Sequence, residues 1–173
     1  MKKTVIILLA AALSASMLLA SCKKIDEGGS KETEKATGTA AVTEVTKDID
    51  PAVAAADIIA KTGFSVTLDA IDEANVQYIT GYEKLPEGTK SSVNMAAGAN
   101  AEEVSVFKAG DTAAVKEAIS AHVEAQKTAF SSYKPEDMPK LDNAVIVEKN
   151  GVVVLVVTAD YENAAKVVAE VLG

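Results

Sequence analysis

Ala144-Val145-Ile146-Val147-Glu148-Lys149, Asn150-Gly151, Val152-Val153-Val154-Leu155-Val156-Val157-Thr158 is the stretch that decides the fold. Two β-rich runs flank an Asn-Gly pair, and Asn-Gly supplies the consecutive positive φ angles of a type I′ turn, whose twist matches antiparallel strands. A hairpin follows. Its second strand is apolar at every position from Val152 to Val157 instead of alternating, which places it centrally in a sheet, covered on each side or by the early segment on one. Asp160 then caps a final helix, Tyr161 to Leu172, with Ala164, Val167, Val168, Val171 and Leu172 turned inward.

Upstream, Pro135 stops a long helix near Tyr133, because it lacks an amide and disfavours helix in the residue before it. Asp111 or Thr112 starts that helix, and Val115, Ala118, Ile119, Val123, Gln126 and Phe130 recur at helical spacing. Earlier still, Ser92 to Ala97 and Val104 to Lys108 read as strands around the turn Gly98-Ala99-Asn100, after a turn at Pro86-Glu87-Gly88. The segment from Phe64 to Gly81 fits short helical turns or strand equally. Asp50 and Pro51 open the first helix, which Gly63 ends. The expected class is α+β: an antiparallel sheet of about four strands with two to three helices packed on it as a two-layer sandwich.

The N-terminal residues read differently. Lys2 and Lys3 precede an apolar run from Thr4 to Leu19, and Leu19-Ala20-Ser21-Cys22 closes it with small residues before the only cysteine. This is the pattern of a lipoprotein signal peptide, cut before Cys22 after diacylglycerol is attached to the sulfur. An uncleaved membrane anchor is the competing reading, and the cysteine decides against it. The expected organisation is a signal peptide over residues 1–21, a lipidated Cys22 and flexible tether over 22–48, and one α+β domain over 49–173. The tether is rich in Lys, Glu, Thr, Gly and Ala, too poor in large apolar residues to form a core. With its sulfur committed to lipid, the domain has neither a disulfide nor a thiolate.

The chain carries 17 Lys and no Arg against 25 acidic residues; loss of Lys2 and Lys3 takes the formal net charge from −8 to −10. A basic surface able to grip a phosphate backbone is missing, which excludes nucleic acid as a partner. The expected partners are the membrane, through the lipid, and a surface protein or cell-wall component.

Ala101-Glu102-Glu103-Val104-Ser105-Val106-Phe107-Lys108, Gln126 to Phe130 with Tyr133, and Leu141-Asp142-Asn143-Ala144-Val145 with the valine strand resemble a family of small lipoproteins of Gram-positive bacteria, catalogued only as a domain of unknown function. The resemblance runs from about Ile49 to the C-terminus and is densest from Asn100 onward. It implies the extracytoplasmic address and one compact domain, and it carries no catalytic residue, substrate or cofactor. It also implies that His122 falls at a surface position in relatives.

The residues themselves offer little chemistry. His122 is the only histidine, and Ser105, Ser120, Ser131 and Ser132 lack a Gly-x-Ser-x-Gly elbow, so His122 reads as structural or solvated. Paired acids at Asp72-Glu73, Glu102-Glu103 and Glu136-Asp137 are what an acidic chain contains in any case, and Glu102 and Glu103 point to opposite faces if extended. Asp69 to Glu73 lacks the spacing of a calcium loop, so no metal is expected. Phe107, Phe130 and Tyr133 read as core. One loop stands out as a binding position, Gly98, Asn100 and Glu102, because turns presented by a rigid sheet carry function more often than strands. The expected function is a non-enzymatic binding or interaction module at the cell surface, without a cofactor beyond the diacylglycerol on Cys22. The alternatives are the small-solute binding component of a transport system and a carboxylate-dependent cell-wall hydrolase.

Overall fold

The computed structural model describes residues 48–173; the expected signal peptide, Cys22 and the tether up to residue 47 lie outside the described residues. Helix α1 (Pro51–Lys61) starts where Asp50 accepts hydrogen bonds from the amides of Ala52 and Val53, with Pro51 in the first turn. The ambiguous segment resolves into both of its options. Strand β1 (Leu68–Ile71) is followed at once by a single helical turn, α2 (Glu73–Val76), capped by Asp72. Residues 77–85, including a 3-10 turn at Tyr82–Lys84, then cross to β2 (Lys90–Ala96) and β3 (Glu103–Lys108).

The long helix α3 (Thr112–Tyr133) is capped by Asp111 and gives way to a 3-10 turn at Pro135–Asp137 and the short α4 (Met138–Asp142). The hairpin is β4 (Val145–Lys149) and β5 (Val152–Val157), and Asn150 and Gly151 take φ of 53° and 76°, as the type I′ turn requires. Helix α5 (Tyr161–Leu172) ends the chain. The Asp160 carboxylate, expected to cap it, instead accepts from the Gly63 amide (3.4 Å) and the Asn163 side chain (3.1 Å), tying the start of α5 to the end of α1.

All strands pair antiparallel in the order β1-β2-β3-β5-β4. The sheet therefore has five strands, one more than expected, and the added strand is β1 at the edge. Its short Leu68-Asp69-Ala70-Ile71 alternates too briefly to separate from helix in sequence. Helices cover both faces, so the domain has three layers instead of the expected two. Val104, Val106, Val152, Val154 and Val156 pack on α1 and α5, while Phe107, Val153, Leu155 and Val157 pack on α3 and α4. The physical reason lies in β5, whose six residues are all buried: a strand apolar on both faces needs a cover on each. Among the described residues no helix is long and apolar enough to cross a membrane.

Candidate functional site

The period of a strand puts Glu103, Ser105 and Phe107 on one face of β3, the face that α3 covers. The period of a helix puts His122 in line with Val115, Ala118 and Ile119, on the stripe of α3 that faces the sheet. Between them, Tyr82 enters from the segment 77–85. The result is a buried polar network. Glu103 Oε1 accepts from Tyr82 Oη at 2.7 Å and from Ser105 Oγ at 2.5 Å, and Glu103 Oε2 lies 2.8 Å from His122 Nε2. His122 Nδ1 lies 2.9 Å from the carbonyl oxygen of Thr80.

Those partners determine the protonation state. The Thr80 carbonyl can only accept, so Nδ1 must donate to it; an ionised Glu103 can only accept, so Nε2 must donate as well. Both ring nitrogens are satisfied at once only in the imidazolium. Burial pushes His122 down, but the charge and hydrogen bond of Glu103 and the Thr80 carbonyl outweigh it and hold His122 above its usual value. Burial likewise pushes Glu103 up, and His122, Ser105 and Tyr82 together pull it below the usual glutamate value. Tyr82 is held well above a normal phenol by burial and by the Glu103 charge, and so remains a donor. The Tyr82 ring stacks on the His122 imidazole at 4.4 Å and meets Phe107 edge-on at 5.0 Å.

The network borders a groove of about 240 Å³ lined by Ile79 and Thr80 on one side and His122, Ala125, Gln126 and Ala129 on the other. His122 is only 2% exposed there, against the surface position that the resemblance implied. The Gln126 amide sits 3.5 Å from His122 Nε2 at the groove wall. Sequence reasoning passed over Glu103, Ser105 and Tyr82 as a unit, although a signal existed. Once Phe107 is read as facing the helix, two-residue periodicity sends Ser105 and Glu103 the same way.

Of Gly98, Asn100 and Glu102, the last two belong to a second, ionic cluster, and Gly98 stands apart from it. Gly98 takes φ of 70° in the exposed turn. Asn100 Oδ1 accepts from the Glu102 amide at 2.9 Å. Glu102 is 1% exposed: Oε2 accepts from the amides of Ser65 (2.8 Å) and Val66 (3.3 Å), and Oε1 pairs with Lys140 Nζ at 3.2 Å. Asp137, also buried, shares Lys140 at 3.2 Å, pairs with Lys134 and accepts from the Ala101 amide at 3.0 Å. Burial opposes the charge of Asp137, and these donors override it, holding its carboxyl below the usual aspartate value. The three acid pairs thus part company: Asp72 caps α2, Glu102 and Glu103 serve separate networks, and Asp137 is buried while Glu136 faces solvent. Among the described residues no group of three or more His, Cys, Asp or Glu is arranged to hold a metal ion. Phe107 and Phe130 are core, whereas Tyr133 is 55% exposed with its ring 4.8 Å from Phe130.

Residues 82–158 match a family described as a domain of unknown function, DUF4358. The matched stretch begins at Tyr82 and ends just beyond β5, so it holds Tyr82, Glu103, Ser105 and His122 and leaves out α1, β1 and α5. It is shorter than the stretch from about Ile49 to the C-terminus that the resemblance covers. No curated protein and no solved structure matches the chain.

Proposed function

We propose that this chain is a lipid-anchored, extracytoplasmic module that binds a protein or wall component near the membrane and performs no catalysis. The observation that carries the reading is the order of the buried network. A serine nucleophile needs a histidine beside it to take its proton, with an acid behind the histidine. Here Glu103 lies between Ser105 and His122, and Ser105 is 0% exposed. The groups that could do chemistry are spent on one another. The buried carboxylates Glu102 and Asp137 are likewise engaged by lysines and backbone amides, which counts against paired acids free to work on a glycan or peptide. The address rests on Leu19-Ala20-Ser21-Cys22 behind its charged and apolar leader, and on the resemblance to Gram-positive lipoproteins.

Surface crosslinking on living cells, followed by mass spectrometry of the captured material, tests this, with a Cys22→Ser copy as the unanchored control. The expected result is one dominant protein or wall partner that is lost in the control. Capture of nothing but lipid and bulk wall would remove the interaction module.

A further inference from the structure

The segment 77–85 lies across α3 like a strap, and it is fastened at few points. Tyr78 is 79% exposed and Thr80 faces solvent, so the apolar grip of the strap comes from Ile79, the Tyr82 ring and Leu85, with Val76 just ahead of it. Gly81, with φ of 96°, brings the backbone so close to α3 that an added Cβ would stand 2.6 Å from the His122 amide nitrogen. At that crossing the polar fastenings are His122, whose ring joins the Thr80 carbonyl of the strap to Glu103 of β3, and the Tyr82 hydroxyl, which donates to the same carboxylate.

We propose that His122 is a proton-operated latch: doubly protonated, it clamps the strap 77–85 to α3 and β3, and on losing one proton it lets go of Thr80 and widens the groove between the strap and α3. The choice of which contact breaks follows from chemistry. A neutral imidazole has one N–H and one lone pair, so one of its two acceptors must face a lone pair. Keeping the N–H on Nε2 preserves a bond to a carboxylate, which is stronger than a bond to a neutral carbonyl. The alternative keeps Thr80 and turns Nε2 to the Gln126 amide, giving up the charge-assisted contact for a neutral one. The Thr80 carbonyl, on an exposed residue, has water available instead. The other charged or titratable groups facing the ring are Tyr82, stacked on it and neutral, and Glu83, whose carboxylate accepts from the Gly81 amide at 2.5 Å and favours the imidazolium.

Hydrogen exchange on the full chain reads the strap directly, through the amides of Tyr82, bonded to the Ile79 carbonyl, and Leu85, bonded to the Tyr82 carbonyl. Corrected for intrinsic rates, their protection should fall by up to about tenfold per pH unit as His122 loses its proton above pH 6.5, and it should stay below that of the β5 amides, which report global unfolding, throughout. Glu103→Gln inverts the logic. A glutamine keeps an oxygen for Tyr82 and Ser105 and turns an N–H to His122 Nε2, so the neutral ring can hold Thr80 and the alkaline loss of protection should vanish. Strap protection that stays constant from pH 6.5 to 9.5 in the wild type would overturn the latch, as would an equal loss in Glu103→Gln. If that variant does not fold, the imidazole nitrogen resonances of the wild type decide. Both nitrogens should carry protons at pH 6 and titrate with the midpoint of strap opening; a singly protonated ring at pH 6 would overturn the proposal.

Discussion

Gly81→Ala is the sharpest probe of how the strap is held, and Gly88→Ala is its matched control. Both glycines have positive φ, 96° and 78°, so an alanine at either position strains the backbone by about 1–3 kcal/mol. Around Gly88 an added Cβ meets nothing within 4 Å, so strain is the whole cost there. At Gly81 the Cβ would lie 2.6 Å from the His122 amide nitrogen, 2.8 Å from the Ala118 carbonyl oxygen and 2.9 Å from the His122 Cα. These are backbone atoms of α3 and cannot yield, so the strap must retreat by about 0.5–1 Å to restore ordinary contact. That retreat stretches the 2.9 Å contact between Thr80 and His122 beyond hydrogen-bond range. A hydrogen bond to a charged group contributes about 1.5–3 kcal/mol, so Gly81→Ala should cost about 2 kcal/mol more than Gly88→Ala. Urea unfolding of the two variants beside the parent measures the difference. Equal destabilisation within about 0.5 kcal/mol, the usual margin for independent sites, would refute the close-contact reasoning.

Global stability should depend on pH through the same pair. His122 is raised in the folded state, so its contribution is complete below its unfolded value of 6.5 and is lost as pH rises through the folded value, with a slope of about 1.4 kcal/mol per pH unit. Glu103 is lowered, so its contribution is present above its unfolded value of 4.5 and disappears as pH falls through the folded value. His122 is the sole histidine, and the sole cysteine lies at residue 22, so the slope in urea midpoints between pH 6.5 and 8.5 reports this one side chain. A flat or rising profile there would count against the imidazolium. Lys140→Ala should cost about 2–4 kcal/mol, because Glu102 and Asp137 stay buried and lose a shared cation while keeping their backbone donors. Thermal or urea unfolding checks it; a loss below about 1 kcal/mol, the scale of an exposed pair, would show that Lys140 behaves as a surface residue.

How much of this was legible varies with the length of the signal. The hairpin, α3 and α5 could be read within a residue or two, because Asn150-Gly151, Asp111 and Pro135 act locally and their apolar periods run for several turns or a full strand. β1 and α2 were not separable, since each is only four residues long and tertiary pairing with β2 decides which is which. The third layer is implicit in the valine run, apolar on both faces, but the run alone does not say which helix supplies the second cover. The network was harder. A histidine on an apolar stripe and a glutamate on an inward strand face each carry a signal, but only the sheet order brings β3 opposite α3 and the strap over both.

A buried ion pair contributes little net stability, because desolvating both charges cancels much of their attraction, and apolar replacements of similar volume are often as stable. Stability alone therefore does not account for Glu103 and His122. What an apolar pair at these positions lacks is direction. The two nitrogens of an imidazolium point to opposite sides of one ring, so a single side chain of α3 fixes both the Thr80 carbonyl and the Glu103 carboxylate, and Tyr82 returns to the same carboxylate from the strap. At Gly81 the strap has no side chain with which to grip, and directional contacts on either side of it set how closely the backbone lies on α3. That separation is also the width of the groove between Ile79 and Thr80 on the strap and Ala125, Gln126 and Ala129 on the helix. Placing a titratable ring at the point that sets the width makes the groove sensitive to a proton, a property that replacing both Glu103 and His122 by apolar residues of similar volume would remove.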